Sequence, residues 1–410
     1  MTPPNVFFLV IDSLRADAIS GDRIATPNMD AFADRGAAFH QCVCTCTTTT
    51  PSFSSIFTGC YPPKHGVRGL QGYQLSPSLK TLAEAFSESG YHTYAEATGP
   101  LLPQTGVLRG FQEYHHRQAY KVPFFGWRDD VIERMRSHVE PWFTMLHIWE
   151  VHRPYRSPPD FEKRRDKAGY EAAVHATDDW LKPVFDLLDD NTIVVITGDH
   201  GESYPSTKLG LQGMRAAQKG RRVFKLKKWF PYLDHKLAEL DIGHGFALWE
   251  HVIRVPLIMA GPNVPPATID DQVRHVDLLP TMLELCDIEA PAGIDGRSLR
   301  PLMTGGTLPD EPAYLEAVGV KLEGSRIVGA RTPEFKYLRP PRSKPVLYSL
   351  DGGDRVDEKR NVFGRYPEVA RSLESYVERV AATEAERGGS GMTTEEEAVV
   401  EQHLRDLGYL

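Results

Sequence analysis

Apolar positions along this chain fall into two rhythms. Near-continuous apolar runs occupy "NVFFLVID" (5–12), "YHTYAEA" (91–97), "WFTMLHI" (142–148), "TIVVITGD" (192–199) and "VPLIMAGP" (255–262). Runs of that length, closed by Pro, Gly or charge, predict strands buried on both faces, as in a parallel sheet. Between them the period lengthens to that of a helix. "SPSLKTLAEAFSESG" (76–90) predicts a helix with Ser76 as N-cap and Gly90 as stop. "GYEAAVHATDDWLKPVFDLLDD" (169–190) predicts a second, bent or restarted near Pro183. Strands alternating with helices give an α/β fold, a mostly parallel central sheet covered by helices on both faces. Ligands of such sheets sit beyond the carboxyl ends of the strands. Asp12, the pair Asp199–His200, and His147 with His152 all fall at such ends.

After about residue 310 the texture changes. "YLEAVGV", "SRIVGARTPEFKYLRPP" and "PVLYSLDG" predict short strands and turns, a small antiparallel subdomain packed on the main one. A Gly/Ser-rich break, "ERGGSGMT" (386–393), precedes "TEEEAVVEQHLRDLGYL", a capped helix that docks on its own chain or makes a homo-oligomer. The division expected is a catalytic domain over 1–312 with an insertion at about 205–241, a subdomain over 313–385, and a linker and terminal helix over 386–410.

Composition adds exclusions. With 41% hydrophobic residues, 25% charged residues and a net charge of −8, the 410-residue chain is that of an ordinary globular protein, not a nucleic-acid binder. No run reaches the roughly 18 to 20 apolar residues of a membrane span, and "MTPPNVFFLVIDSLRAD" lacks the marks of a secretory leader. Of five cysteines, three (Cys42, Cys44, Cys46) crowd one pentapeptide; this suits packed thiols better than disulfides or zinc. A cytoplasmic location is the expectation.

The chemistry-bearing residues suggest a divalent-metal site, since such cations take clustered oxygen and imidazole ligands. "TGDHGES" (197–203) offers Asp199 and His200 at a strand end. Asp12 abuts an apolar run and needs a partner there. A hydroxyl from the run Thr47–Thr50 before Pro51 could complete the shell and, held on a metal, ionise more readily.

Five segments in order, "PNVFFLVIDSLRAD", "TTPSFSSIFTGCYPPKHGV", "HIWEVHRPY", "ITGDHGE" and "ALWEHVIRVPLIMAGP", resemble the sulfatase branch of the alkaline phosphatase superfamily. The ending "GRSLRPLM … LYSLDGGDRVDEKRNV … LRDLGYL" is similar to its C-terminal part. The resemblance implies an alkaline-phosphatase-like fold and a metal held by Asp12, Asp199 and His200. It implies a nucleophile two residues before the motif proline, which is Thr49. It also implies that His152 and His244 face the reacting group or hold a second metal. Zinc or manganese suits these ligands, and calcium suits a single filled site.

Two departures matter. Formylglycine sulfatases carry Cys-x-Pro-x-Arg, where this chain reads Thr49, Thr50, Pro51, Ser52, Phe53. The family's second acid is Ser13, and the usual "GK" segment reads "ATGPLL". The expectation is therefore a hydrolase of phosphate diesters, monoesters or phosphonate esters, working through a threonine nucleophile and a phospho-threonine intermediate. A sulfuric-ester hydrolase without formylglycine, a phosphoryl transferase and a non-catalytic binder are the alternatives. His147 reads as a core histidine, Lys64 and His65 as structural, and Arg15 with Asp17 as an ion pair beneath the site. His251 fits either role.

Between "DHGES" and "GHGF", positions 205 to 233 hold eight basic residues and no acid. Arg221, Arg222 and Lys225, interleaved with Phe224, Trp229 and Phe230, suit an anion-binding surface for substrate, nucleotide or anionic lipid.

Overall fold

The computed structural model describes residues 2–19, 24–118, 121–157, 169–203, 244–318, 326–341, 343–350, 358, 360–383 and 391–410. Its larger sheet has eight strands in the order β4-β3-β5-β1-β6-β7-β2-β8. They are β1 (Asn5–Ile11), β2 (Ala37–Val43), β3 (His92–Thr98), β4 (Glu113–Arg117), β5 (Trp142–Ile148), β6 (Thr192–Gly198), β7 (Arg254–Ala260) and β8 (Ala267–Arg274). Every pairing is parallel except those of β7, which runs against both β6 and β2. The apolar runs explain the arrangement. Val6, Phe8 and Val10 of β1 enter one core and Phe7, Leu9 and Ile11 the other, so a strand with two buried faces can carry no polar alternation. The expected fold class is borne out.

β1 lies between β5 and β6, and the three end level: Ile11 pairs with Ile148 on one side and Gly198 on the other. The residues that follow each strand therefore emerge side by side at the middle of the carboxyl edge. A second sheet, β12-β11-β10-β9, is wholly antiparallel. It comprises β9 (Ala313–Ala317), β10 (Ile327–Arg331), β11 (Phe335–Arg339) and β12 (Val346–Ser349), with Val328, Ala330, Tyr337 and Leu347 against Leu373 and Val377 of the helix Pro367–Ala381.

Local details differ from expectation. The helix expected over 76–90 spans Leu82–Glu88, because Thr81 and Glu84 close a reciprocal capping box there. Ser76 turns its hydroxyl to Ser78 instead. The helix expected over 169–190 runs as Tyr170–Phe185, continuous through Pro183. The terminal helix Thr394–Asp406 docks on its own chain, burying Val400 and Leu404 against Leu70 and Leu102. No helix among the described residues is long and apolar enough to cross a membrane.

Candidate active site

Asp12 follows β1 directly and is wholly buried. Its Oδ1 accepts a hydrogen bond from the Ser13 hydroxyl at 2.8 Å and its Oδ2 one from the Thr49 hydroxyl at 3.2 Å. Ser13 is held at φ 62, a left-handed conformation uncommon for a residue with a side chain. In that conformation its backbone N–H donates to Asp199 Oδ1 at 3.0 Å. Asp199 and His200 follow β6, and the His200 N–H donates to the same oxygen at 2.8 Å. Gly201 then lets the chain pass the His251 carbonyl, where a Cβ would stand 2.2 Å from that oxygen.

Thr49 opens the helix Thr49–Thr58, all ten residues of which are buried. Its neighbour Thr50 is occupied elsewhere, donating to the Pro100 carbonyl at 3.1 Å. Ser52, one turn on, donates to the Asp199 carbonyl at 2.6 Å. Of the two threonines before Pro51, Thr49 is thus the one turned to the carboxylates. Phe53, where formylglycine sulfatases have arginine, packs edge-on against the His147 ring at 5.1 Å. At Gly99 a Cβ would stand 2.2 Å from the Trp149 ring, so this position admits no side chain.

The structure adds one residue that the sequence reading assigned to the core, His147, and one that it did not single out, Glu202. His147, expected as a satisfied core residue, is buried and hydrogen-bonds through Nδ1 to Thr98 at 2.9 Å. Its Nε2, however, lies 3.7 Å from Asp12 Oδ2. Asp12, His147 and Asp199 bring their ligand atoms within 4.8 Å of one another, a spacing suited to one metal ion. Glu202 lies buried with its Oε2 3.7 Å from His244 Nδ1. His244 also sits 3.5 Å from the Ser13 hydroxyl, and its ring is 4.0 Å from that of His200 and 5.0 Å from that of His152. His152 stacks on Trp149, and its two nitrogens face the Arg153 carbonyl and the Tyr409 hydroxyl.

Three expected residues, Arg221, Arg222 and Lys225, lie outside the described residues, as does the insertion that carries them. His251 presents its backbone carbonyl to Gly201. Arg15 and Asp17 form the expected ion pair at 2.6 Å. His65 bonds Ser55 and the Val67 N–H, and Lys64 reaches Asp295 at 3.3 Å.

The electrostatics show what this arrangement lacks. Burial and the neighbouring Asp199 push the Asp12 carboxyl well above its ordinary range, and burial raises Asp199 too. Burial likewise lifts Glu202 to about 7 and lowers His147 to about 3. His147 Nε2, Asp199 Oδ2, His200 Nε2 and Glu202 Oε2 are buried without a hydrogen-bond partner among the described residues. Two adjoining carboxylates, with His147 Nε2 3.7 Å from Asp12 and His200 Nε2 3.3 Å from Asp199, are a donor set short of a cation. A divalent metal fits.

A family model described as "Sulfatase" matches residues 4–288. The chain belongs to the sulfatase family. With it comes membership of the alkaline phosphatase superfamily and the standing of a hydrolase of ester bonds. A model described as "N-sulphoglucosamine sulphohydrolase, C-terminal" matches residues 245–374 of this sulfatase-family chain. "Uncharacterized sulfatase YidJ" of Escherichia coli K12 is 24% identical over 73% of this chain and 71% of its own length. A "Sulfatase" of Formosa agariphila is 25% identical over 93% and 87%. The phosphonate monoester hydrolase SpPMH from Silicibacter pomeroyi superposes with a TM-score of 0.70 at 17% identity, over 94% of this chain and 96% of its own.

Proposed function

We propose that this sulfatase-family hydrolase cleaves phosphorus esters, diesters, monoesters or phosphonate esters, with Thr49 as nucleophile. One observation carries the reading: a threonine hydroxyl, unable to become formylglycine, stands 3.2 Å from the buried Asp12 carboxylate at the start of the helix Thr49–Thr58. Asp12, Asp199, and His200 or His147 would hold a divalent cation, zinc or manganese by ligand type, with calcium compatible with one site. When bound, it would neutralise the paired carboxylates and ease ionisation of the threonine hydroxyl.

The chain's own residues supply the rest. Asp12 fixes the Thr49 rotamer, and the helix start behind Thr49 favours an anionic ester. The Thr49 oxygen forms a bond to phosphorus as the bond to the leaving oxygen breaks, giving a phospho-threonine and an alcohol. Water then attacks phosphorus and returns the hydroxyl. His244 lies beside Glu202, Ser13 and His152, and the two histidines would serve as proton partners for incoming water and leaving oxygen.

The named relatives favour a second reading, a sulfuric ester at the same threonine, because both printed names are sulfatases. A rate panel decides. Metal-loaded protein is assayed on p-nitrophenyl phosphate, bis-p-nitrophenyl phosphate, p-nitrophenyl phenylphosphonate and p-nitrophenyl sulfate, beside Thr49→Ala. Fastest turnover of a phosphorus ester, lost in the variant, supports the first reading. Fastest turnover of the sulfate supports the second.

A further inference from the structure

The segment after the terminal helix reaches the site. Leu407 packs on Trp149, and the Tyr409 hydroxyl lies 3.0 Å from Nε2 of His152. The helix is fixed beside it by Val400 and Leu404 against Leu70 and Leu102, and by His403 Nε2 at 2.8 Å from the Gly99 carbonyl. On the other side of the ring, His152 Nδ1 lies 2.6 Å from the Arg153 carbonyl.

The tautomer follows from donor counting. A carbonyl only accepts, so His152 Nδ1 carries the proton. The ring is buried, and its Nε2 faces the Tyr409 hydroxyl at 3.0 Å, so the two are hydrogen-bonded. Trp149, stacked at 4.1 Å, completes a three-sided clamp on the imidazole.

We infer that Tyr409 is a positioning residue of the active site, its hydroxyl fixing the His152 imidazole in the orientation that sets it beside His244. The assignment rests on the ester-hydrolase reading for its kinetic consequence but on hydrogen-bond geometry for the contact itself. The Tyr409 hydroxyl, the Arg153 carbonyl and the Trp149 face together leave the His152 ring one orientation. The terminal helix is on this view part of the catalytic unit, its docking on Leu70 and Leu102 setting where the phenol stands.

The test is a double-mutant cycle on the full chain. Tyr409→Phe keeps the ring and removes the donor. It should lower kcat about ten- to a hundredfold with KM nearly unchanged, as loss of a partner that orients an imidazole commonly does. In a His152→Ala background the same change should have no further effect. Wild-type kcat in Tyr409→Phe overturns the inference, and so does an equal loss with and without His152. Should the wild-type protein turn over no ester, the ester-hydrolase reading falls. The contact is then judged by nitrogen NMR of histidine-labelled protein. Tyr409→Phe should move the His152 Nε2 resonance towards that of a free acceptor, and an unmoved resonance overturns the inference.

Discussion

Two places in this molecule bury clusters of charge, and they do so in opposite ways. At the junction of the two sheets, Glu250 meets Arg331 at 2.9 Å and Lys336 at 3.1 Å. Arg331 also binds Gln272 and Gln41, and Lys336 binds the Leu248 carbonyl and Glu358. Burial alone would raise the Glu250 carboxyl, but the Lys336 and Arg331 charges outweigh it and bring it down to about 2. At the carboxyl edge of the large sheet, burial raises Asp12 and no cationic side chain is paired with it among the described residues. A buried charge kept for structure comes with its partners, whereas one kept for a ligand waits for it.

That contrast can be broken most sharply at Thr49. Thr49→Ala should cut turnover at least about a thousandfold, roughly 4 kcal/mol of barrier, and leave the thermal midpoint almost unmoved. A variant with substantial activity would place the nucleophile elsewhere. Glu250→Gln should do the reverse. It leaves Lys336 and Arg331 short of a counter-charge and costs about 3 to 5 kcal/mol of stability by denaturant titration, with kcat little changed in the folded fraction.

A carboxylate-to-amide change of the same size at Asp12 should have the opposite sign. In metal-free protein, Asp12→Asn removes one of two repelling buried acids and should raise stability by about 1 kcal/mol, while bound metal and activity are lost. A fall in metal-free stability would show that the pair is satisfied without a cation.

A further effect is read in acid. The Glu250 pKa is depressed in the fold, so its contribution is complete above the unfolded value of about 4.3 and fades as pH falls towards about 2. The difference in thermal midpoint between wild type and Glu250→Gln should therefore shrink across that window and stay constant above it. Calorimetry at half-unit pH steps reads this directly.

Much of the carboxyl edge was legible because a parallel strand announces itself. Asp12 stands out as an acid closing a run of buried residues, and Asp199–His200 closes another. His147 was not legible: it lies inside the apolar run of β5, where a histidine looks like core packing. Only the pairing of β5 with β1, His147 opposite Val10, brings it beside Asp12. Tyr409 is 257 positions from His152, a contact that no local pattern encodes. The late start of the helix at Leu82 could have been read, since Thr81 and Glu84 have capping-box spacing, but Ser76 offered a rival cap. β7 reads as one more buried strand in sequence, and its reversed direction depends on how the chain returns to the sheet.

The approach of Glu202 to His244 has an evolutionary consequence. The two residues stand on either side of positions 204–243 in the sequence, and their side chains come within 3.7 Å of each other. Loop closure costs only about 0.6 kcal/mol for each doubling of length once the ends are fixed together. A lineage could lengthen or shorten the sequence between them while β6, β7 and the buried acids stay as they are.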